Sequence, residues 1–319
     1  VRINDFNPPP MPSLSIRSRS PMRLTFWGTR GSISTPGKQT VRYGGNTPCV
    51  ELRLANDELI ILDAGTGIRN LGERLIENGE SIKAYLMISH LHWDHIQGFP
   101  FFKPAFISGN ELTIIGGETE KVSLQKMISD QMNMVYFPVQ LNELKATLNF
   151  LKVGEEEFHV FDAHVQTIFV NHPTFAIGYR ITHKGKTLVY ISDNEPFDRR
   201  VAQSIRNVEK VIVDKFLRST GDPNQRIFDF VEGADVLIHD ATYTPEEYVD
   251  RVGWGHSHYL FTLKVAAEGK VKRLVLFHHD PAHSDEKVDD ILKKCRKEIR
   301  NRHYTFDCIA AAEGMEIEV

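Results

Sequence analysis

The stretch SHLHWDHIQGF, residues 89–99, sets His90, His92, Asp94 and His95 within six positions, directly after the apolar run Ala84 to Ile88. A short apolar run bounded by a polar turn reads as a buried strand, here AYLMIS, that stops where the histidines begin. His90 and His92, one residue apart in an extended loop, can point the same way, while Asp94 and His95 turn toward a neighbouring point. Neutral imidazole suits zinc and other borderline ions, and carboxylate admits manganese or iron as well. A lone HxH would be read as a pair of surface histidines. Four metal-capable groups after a buried strand are read instead as two adjacent sites for two divalent cations, zinc foremost, with manganese or iron admitted.

The grammar around the stretch repeats this placement. RLTFWG from Arg23, CVELRL at 49–54 and LIILDAG at 59–65 read as strands, followed by a helix in IRNLGERLIENG with Leu71, Leu75 and Ile76 inward and Gly79 as its stop. In the second half TIFVNH, FAIGYRI, TLVYISD, ADVLIHD and RLVLFHH read as strands, and 285–302 as an amphipathic helix with Val288, Ile291, Leu292, Cys295 and Ile299 inward. Several of these strands end in His or Asp, so polar groups collect where strands stop, as in many active sites. Residues 117–150 and 196–232 read as helical insertions that cover the site.

Composition limits what such a site would serve. The chain has 319 residues, 41% hydrophobic and 25% charged, a formal charge of −4 and a pI near 6.4. That balance argues against a surface built to track extended nucleic acid. Cys49, Cys295 and Cys308 form no CxxC pair and read as reduced thiols, which places the protein in the cytoplasm. Residues 1–22, rich in Pro, Ser and Arg without periodicity, read as a flexible leader with Met22 as the natural start, and 23–319 as one hydrolase domain. No run of about 18 apolar residues occurs, so neither a membrane span nor a membrane partner is expected.

The segment HLHWDH resembles the HxHxDH motif of the metallo-β-lactamase superfamily, and further positions resemble its remaining motifs in order: His172 in NHP, Asp193 in YISD and His278 in LFHHDP. The resemblance implies an α/β (α+β) fold, a four-layer αββα sandwich. It also implies that His90, His92 and His172 bind one metal, that Asp94, His95 and His278 bind the other, and that Asp193 bridges them, with Asp94 counted among the catalytic groups. Two cations about 3.5 to 4 Å apart share a water and lower its pKa toward neutrality, which supplies a hydroxide nucleophile. His279 beside His278 is the alternative ligand; the preceding strand and the family spacing favour His278.

Within the superfamily, FWGTRGS at 26–32, YGGNTPCVEL and LIILDAGTG resemble the start of the ribonuclease Z and phosphoribosyl cyclic phosphodiesterase branch. Asp63 is then a structural residue below the site. GWGHSHY at 253–259 resembles the HST motif of ribonuclease Z, which implies that His256 protonates a leaving alkoxide or stabilises charge on a phosphoryl oxygen. His258 stands where that family often has Thr, which leaves open whether one histidine or both face the substrate; the other reading of His256 is a cap on the helix starting near Tyr259. IHDATY at 238–243 resembles the HEAT motif, and Asp240 would then orient His256, an N-cap or turn role being its alternative.

Ribonuclease Z carries its tRNA-gripping arm between the third histidine and the bridging aspartate, and the 21 positions from His172 to Asp193 leave no room for one. The expected function is therefore hydrolysis of phosphodiester bonds in a small or cyclic nucleotide-like substrate through a dinuclear metal-bound hydroxide. Alternatives are a tRNA 3′-processing endonuclease, a thioester hydrolase of the glyoxalase II type, and, outside the hydrolases, a metal-bearing sensor or oxidoreductase; a homodimer is admitted. Class B1 lactamases usually have Cys where Asp193 stands, and flavodiiron proteins carry an HxExD pattern with a flavodoxin domain, so both fit less well. Arg30 is read as reaching a phosphate or as a structural ion pair. KKCRKEIRNR at 293–302 is read as the solvated face of a helix, His159, His164, His183 and His303 as surface or packing residues, and Trp93 and Phe99 as pocket lining or core.

Overall fold

The computed structural model describes residues 22–77, 79, 81–118, 122–197 and 222–319. The N-terminal leader and most of the 196–232 insertion thus lie outside the described residues. Met22, assigned to the leader from sequence, instead opens the first strand, β1 (Met22–Gly28).

Among the described residues the strands form two seven-stranded sheets. The first continues with β2 (Cys49–Leu54), β3 (Leu59–Leu62), β4 (Lys83–Met87), β5 (Glu111–Gly116) and β6 (Thr147–Lys152), and the C-terminal β14 (Glu316–Glu318) pairs with β1 at its edge. The second holds β7 (Glu157–Val160), β8 (Ala163–Phe169), β9 (Ile177–His183), β10 (Lys186–Ile191), β11 (Val236–Asp240), β12 (Arg273–Phe277) and β13 (Asp307–Ala310). β3 to β6 run parallel, as do β10 to β13. Parallel strands covered on both faces need continuous apolar runs, which LIIL, TLVYI and LVLF supply.

Three apolar cores separate four layers. Between the sheets, Leu24, Phe26, Leu52 and Ile60 meet Tyr179, Tyr190, Ile238 and Phe277. Outside the first sheet, Ile61, Leu86 and Ile114 pack on α1 (Gly67–Ile76) and α3 (Leu124–Asp130), while α2 (Trp93–Ile96) is one turn. Outside the second, Val189, Leu237 and Leu274 pack on α4 (Gln225–Val231), α6 (Tyr259–Glu268) and α7 (Asp285–Asn301), with the short α5 (Pro245–Tyr248) between. This is the αββα sandwich. In α7 the side chain of Ser284 caps the first turn, Asp285 and Glu286 sit where the helix dipole favours acid, and Val288, Ile291 and Cys295 are buried inward. No helix among the described residues is long and apolar enough to cross a membrane.

The 117–150 segment departs from the expected helical cover. It holds the seven-residue α3 and then β6, an edge strand in which half-buried Leu148 and Phe150 alternate with exposed Thr147 and Asn149. The sheets are stitched where the histidine motif lies: Tyr179 Oη donates to Ile88 O at 2.7 Å, and Ile177 N–H to Ser89 O at 2.9 Å.

Candidate metal centre

The carboxyl ends of β3, β4, β10, β11 and β12 face one edge, and the candidate ligands leave them there. His90 follows β4, Asp193 follows β10, and His278 follows β12 immediately in a left-handed conformation, φ 56°. His92 starts α2 with extended backbone, so Asp94 and His95 fall in its first turn. Gly31 makes room on the far side, because a Cβ there would lie 2.2 Å from the His278 ring.

Two groups result, His90 with His92 and His172, and Asp94 with His95 and His278; Asp193 joins His90 and His95 on one side and His256 and His278 on the other. His172 Nε2 lies 3.1 Å from His92 Nδ1, His95 Nε2 3.2 Å from Asp94 Oδ2, and His278 Nε2 3.1 Å from Asp94 Oδ2. Asp193 Oδ1 is 3.3 Å from His95 and 3.4 Å from His278, and its Oδ2 is 3.6 Å from His90 Nε2. Ligand atoms around a tetrahedral zinc, each at about 2.0 to 2.1 Å, stand about 3.3 Å from one another, so these separations fit. His90 Nε2, His95 Nε2 and Asp193 Oδ1 are buried and make no hydrogen bond, a costly arrangement unless a cation takes their lone pairs.

The opposite ring nitrogens are tied from outside. His172 Nδ1–H donates to Gly255 O at 3.0 Å, His95 Nδ1–H to Asp63 Oδ2 at 2.7 Å, and His278 Nδ1 meets Thr242 Oγ1 at 3.2 Å, whose hydrogen goes to His278 O. Each tie fixes a tautomer with the inward nitrogen bare. Asp63 is the structural residue expected from sequence: fully buried, it also accepts from Ser89 N–H, Ser89 Oγ and Tyr190 Oη.

Burial opposes charge on Asp94 and Asp193, yet the imidazoles beside them, His95 and His278 foremost, hold both carboxyls well below their ordinary range. Burial pushes His90 well down and His172 down to about 4. His95 and His278 go up despite burial because carboxylates face them. A divalent cation competes for those same atoms, so metal uptake here releases protons.

His278, not His279, faces the cluster: His279 Nε2 is bonded to Ala311 O at 2.9 Å. His256 also arrives, its ring stacked on His278 at 4.8 Å with Nδ1 3.5 Å from Asp193 Oδ2. It does not cap the following helix; His258 does, its ring accepting from Phe261 N–H, which takes His258 away from the cluster. The hydrogen bond expected from Asp240 to His256 is absent. The two stand 3.9 Å apart, because Asp240 Oδ2 accepts instead from Ser257 N–H at 2.6 Å and so fixes the chain beside His256.

Glu195 and Thr242 were missed, although each stands inside a quoted or adjoining motif. Glu195, 2% exposed, accepts from Tyr248 Oη and Gly253 N–H on one oxygen and Gly255 N–H on the other, clamping the strap that carries Gly255 and His256. Arg30 reaches no phosphate position: its guanidinium is buried, bonded to Gly44 O and His283 O, with Asp285 at 3.7 Å. Phe99 is core, whereas Trp93 projects into solvent. His164 lies 3.2 Å from Glu157 and His183 3.1 Å from Asp162, both outside the candidate groups, and His303 is exposed.

The family model of the β-lactamase superfamily domain matches residues 59–221. Ribonuclease Z of Thermoplasma acidophilum is 26% identical, over 90% of this chain and 95% of its own length. Among solved structures, the metallo-β-lactamase fold protein YhfI from Bacillus subtilis superposes with a TM-score of 0.65 at 18% identity, covering 94% of this chain and 100% of that one. The short form of human tRNase Z superposes with a TM-score of 0.61 at 20% identity, covering 93% and 99%.

Proposed function

The chain belongs to the metallo-β-lactamase superfamily, in its ribonuclease Z-like branch, and on that premise we propose that it is a metal-dependent hydrolase of phosphodiester bonds in small or cyclic substrates. His90, His92 and His172 would hold one cation, Asp94, His95 and His278 the second, and Asp193 both, zinc being the ion that this donor set suits best. Two such cations lower the pKa of a shared water toward neutrality and attract the oxygens of a phosphoryl group.

The observation that carries the reading is His256, an imidazole that reaches Asp193 and His278 from a separate strap and is left over once His90, His92 and His172 and then Asp94, His95 and His278 are taken as the two ligand sets. Burial pushes it down to about 3, against the pull of Asp193. It is therefore neutral at pH 7, and the role that fits is donating a hydrogen bond to a phosphoryl oxygen rather than delivering a proton to the leaving alcohol. Asp240, through Ser257, and Glu195, through Gly253 and Gly255, hold the strap that aims it.

Small substrates are favoured by the connection between His172 and Asp193. β9 and β10 are joined by Lys184 and Gly185 alone, at φ 47° and 77°, a two-residue turn with both φ positive that leaves no arm in this interval. A second reading, tRNA 3′-processing, is favoured by the ribonuclease Z similarity, which runs through nearly the whole chain.

Purified, metal-quantified protein should hydrolyse bis-p-nitrophenyl phosphate and a cyclic nucleotide, with activity lost to a chelator. Cleavage of precursor tRNA without turnover of cyclic nucleotides would assign the second reading. Turnover of a thioester or a cephalosporin alone would sink both.

A further inference from the structure

Beside the cluster lies a cavity of about 220 Å³ that the phosphoryl chemistry does not use. The imidazoles of His90 and His92 form one wall, and Leu91, Met127 and Phe175 most of the rest. Phe175 presses one ring edge against Gly117, where a Cβ would come within 1.8 Å of Cε1, and is braced edge-on by Phe169 at 4.7 Å. Among the described residues the one charged group lining the cavity, Glu118, is already engaged: Oε2 accepts from Leu124 N–H and Oε1 faces Lys152 at 3.1 Å. Leu91 and Met127 also border a wider groove of about 760 Å³ flanked by Trp93, Phe101 and Phe137.

We propose that this cavity is the subsite for an uncharged aromatic ring of the substrate, attached to the phosphoryl group on the His90–His92 side. Its position beside that group rests on the phosphodiesterase reading; binding of the ring does not. An apolar cavity of about 150 Å³ is enough to bind benzene, so this one takes one six-membered ring. Among the described residues neither cavity is lined by Lys or Arg, the side chains that pair with a phosphate backbone. Met127, with its flexible, polarizable thioether, can close over a ring face.

The test is calorimetric titration of the zinc-loaded protein with phenylphosphonate and methylphosphonate, together with the NMR signal of ¹³C-methyl-labelled Met127, assigned with Met127→Leu. Burying one ring face and edge should make the phenyl compound bind about tenfold more tightly. Met127→Glu should bring that ratio to about one, and phenol alone should shift the Met127 methyl upfield. Equal affinities for the two phosphonates, or a Met127 signal unmoved by phenol, overturn the subsite. If phenol moves Met127 but neither phosphonate binds, the ring site stands and the phosphoryl reading fails. A Met127 shift that follows protein concentration instead of phenol assigns the groove to a second copy of the chain and overturns the proposal.

Discussion

Asp63→Asn isolates the tie that fixes His95. The side chains are isosteric, and Asn tolerates the left-handed backbone at this position, φ 61°, so no strain is added. The amide can be placed in two ways. With its nitrogen at the Oδ1 position it faces Ser89 N–H, 2.6 Å away, and leaves that buried donor unpaired. With its nitrogen at the Oδ2 position it faces His95 Nδ1, which must then accept and carry its proton on Nε2, toward Asp94 and Asp193. That second arrangement also takes the acceptor from Ser89 Oγ and Tyr190 Oη, two buried hydroxyls that bond Oδ2, so the first is favoured with or without zinc. The first costs one buried unsatisfied N–H, about 1–3 kcal/mol of stability, and replaces the carboxylate behind His95 with a neutral amide, which should weaken zinc at that site by about 10- to 100-fold. Competition against a chromophoric chelator, with melting of the metal-free protein as a control, measures both halves. A variant with wild-type affinity at both sites and unchanged stability would refute the account of how this tautomer is set.

Three further outcomes are expected. His256→Ala should keep two metal equivalents and lose about 10²- to 10³-fold in kcat on a phosphodiester, and a full rate would remove His256 from the reaction. Glu195→Ala should free the strap, destabilising the protein by about 2 kcal/mol and weakening zinc at the His172 site, with partial recovery in Glu195→Gln; unchanged zinc affinity would detach the strap from the centre. Metal-free protein should be most stable near pH 6.5. His95 and His278, raised in the fold, lose their contribution as pH climbs above that value, whereas His172 and His256, lowered to about 4 and about 3, destabilise as pH falls from 6.5 toward 4, because the unfolded chain takes up protons that the fold excludes. Urea unfolding in chelator at pH 5, 6.5 and 8 with no maximum would refute this.

The convergence of the candidate ligands was legible because strand ends are written locally: an apolar run such as RLVLF stops at a polar residue, and the stop is where parallel strands deliver side chains. The ties were not, because each joins residues far apart in the chain, Asp63 to His95 across 32 positions and Gly255 to His172 across 83. Asp240 shows the limit well. Its motif located it beside His256, but whether its oxygen meets the ring or the next backbone N–H depends on a difference of about an ångström that spacing does not encode. The edge strand β6 escaped notice although Leu148 and Phe150 alternate with Thr147 and Asn149, because an alternation four residues long is too short to separate strand from helix.

The cage and the features that would select a substrate are largely separate. The tautomers of the candidate ligands are pinned by Asp63, Thr242 and Gly255, while the tight β9–β10 turn lies at the end of β10 away from Asp193 and the Phe175 cavity meets the cage at His90 and His92. Substitutions in the cavity should therefore shift preference among substrates at constant zinc affinity. The strap is the exception. Gly255 O sets His172, a Cβ on Gly255 would stand 2.1 Å from His172 Nδ1, and the next residue is His256. Any change there alters a candidate ligand and the phosphoryl contact together, so in this element selectivity cannot be varied without also varying the metal.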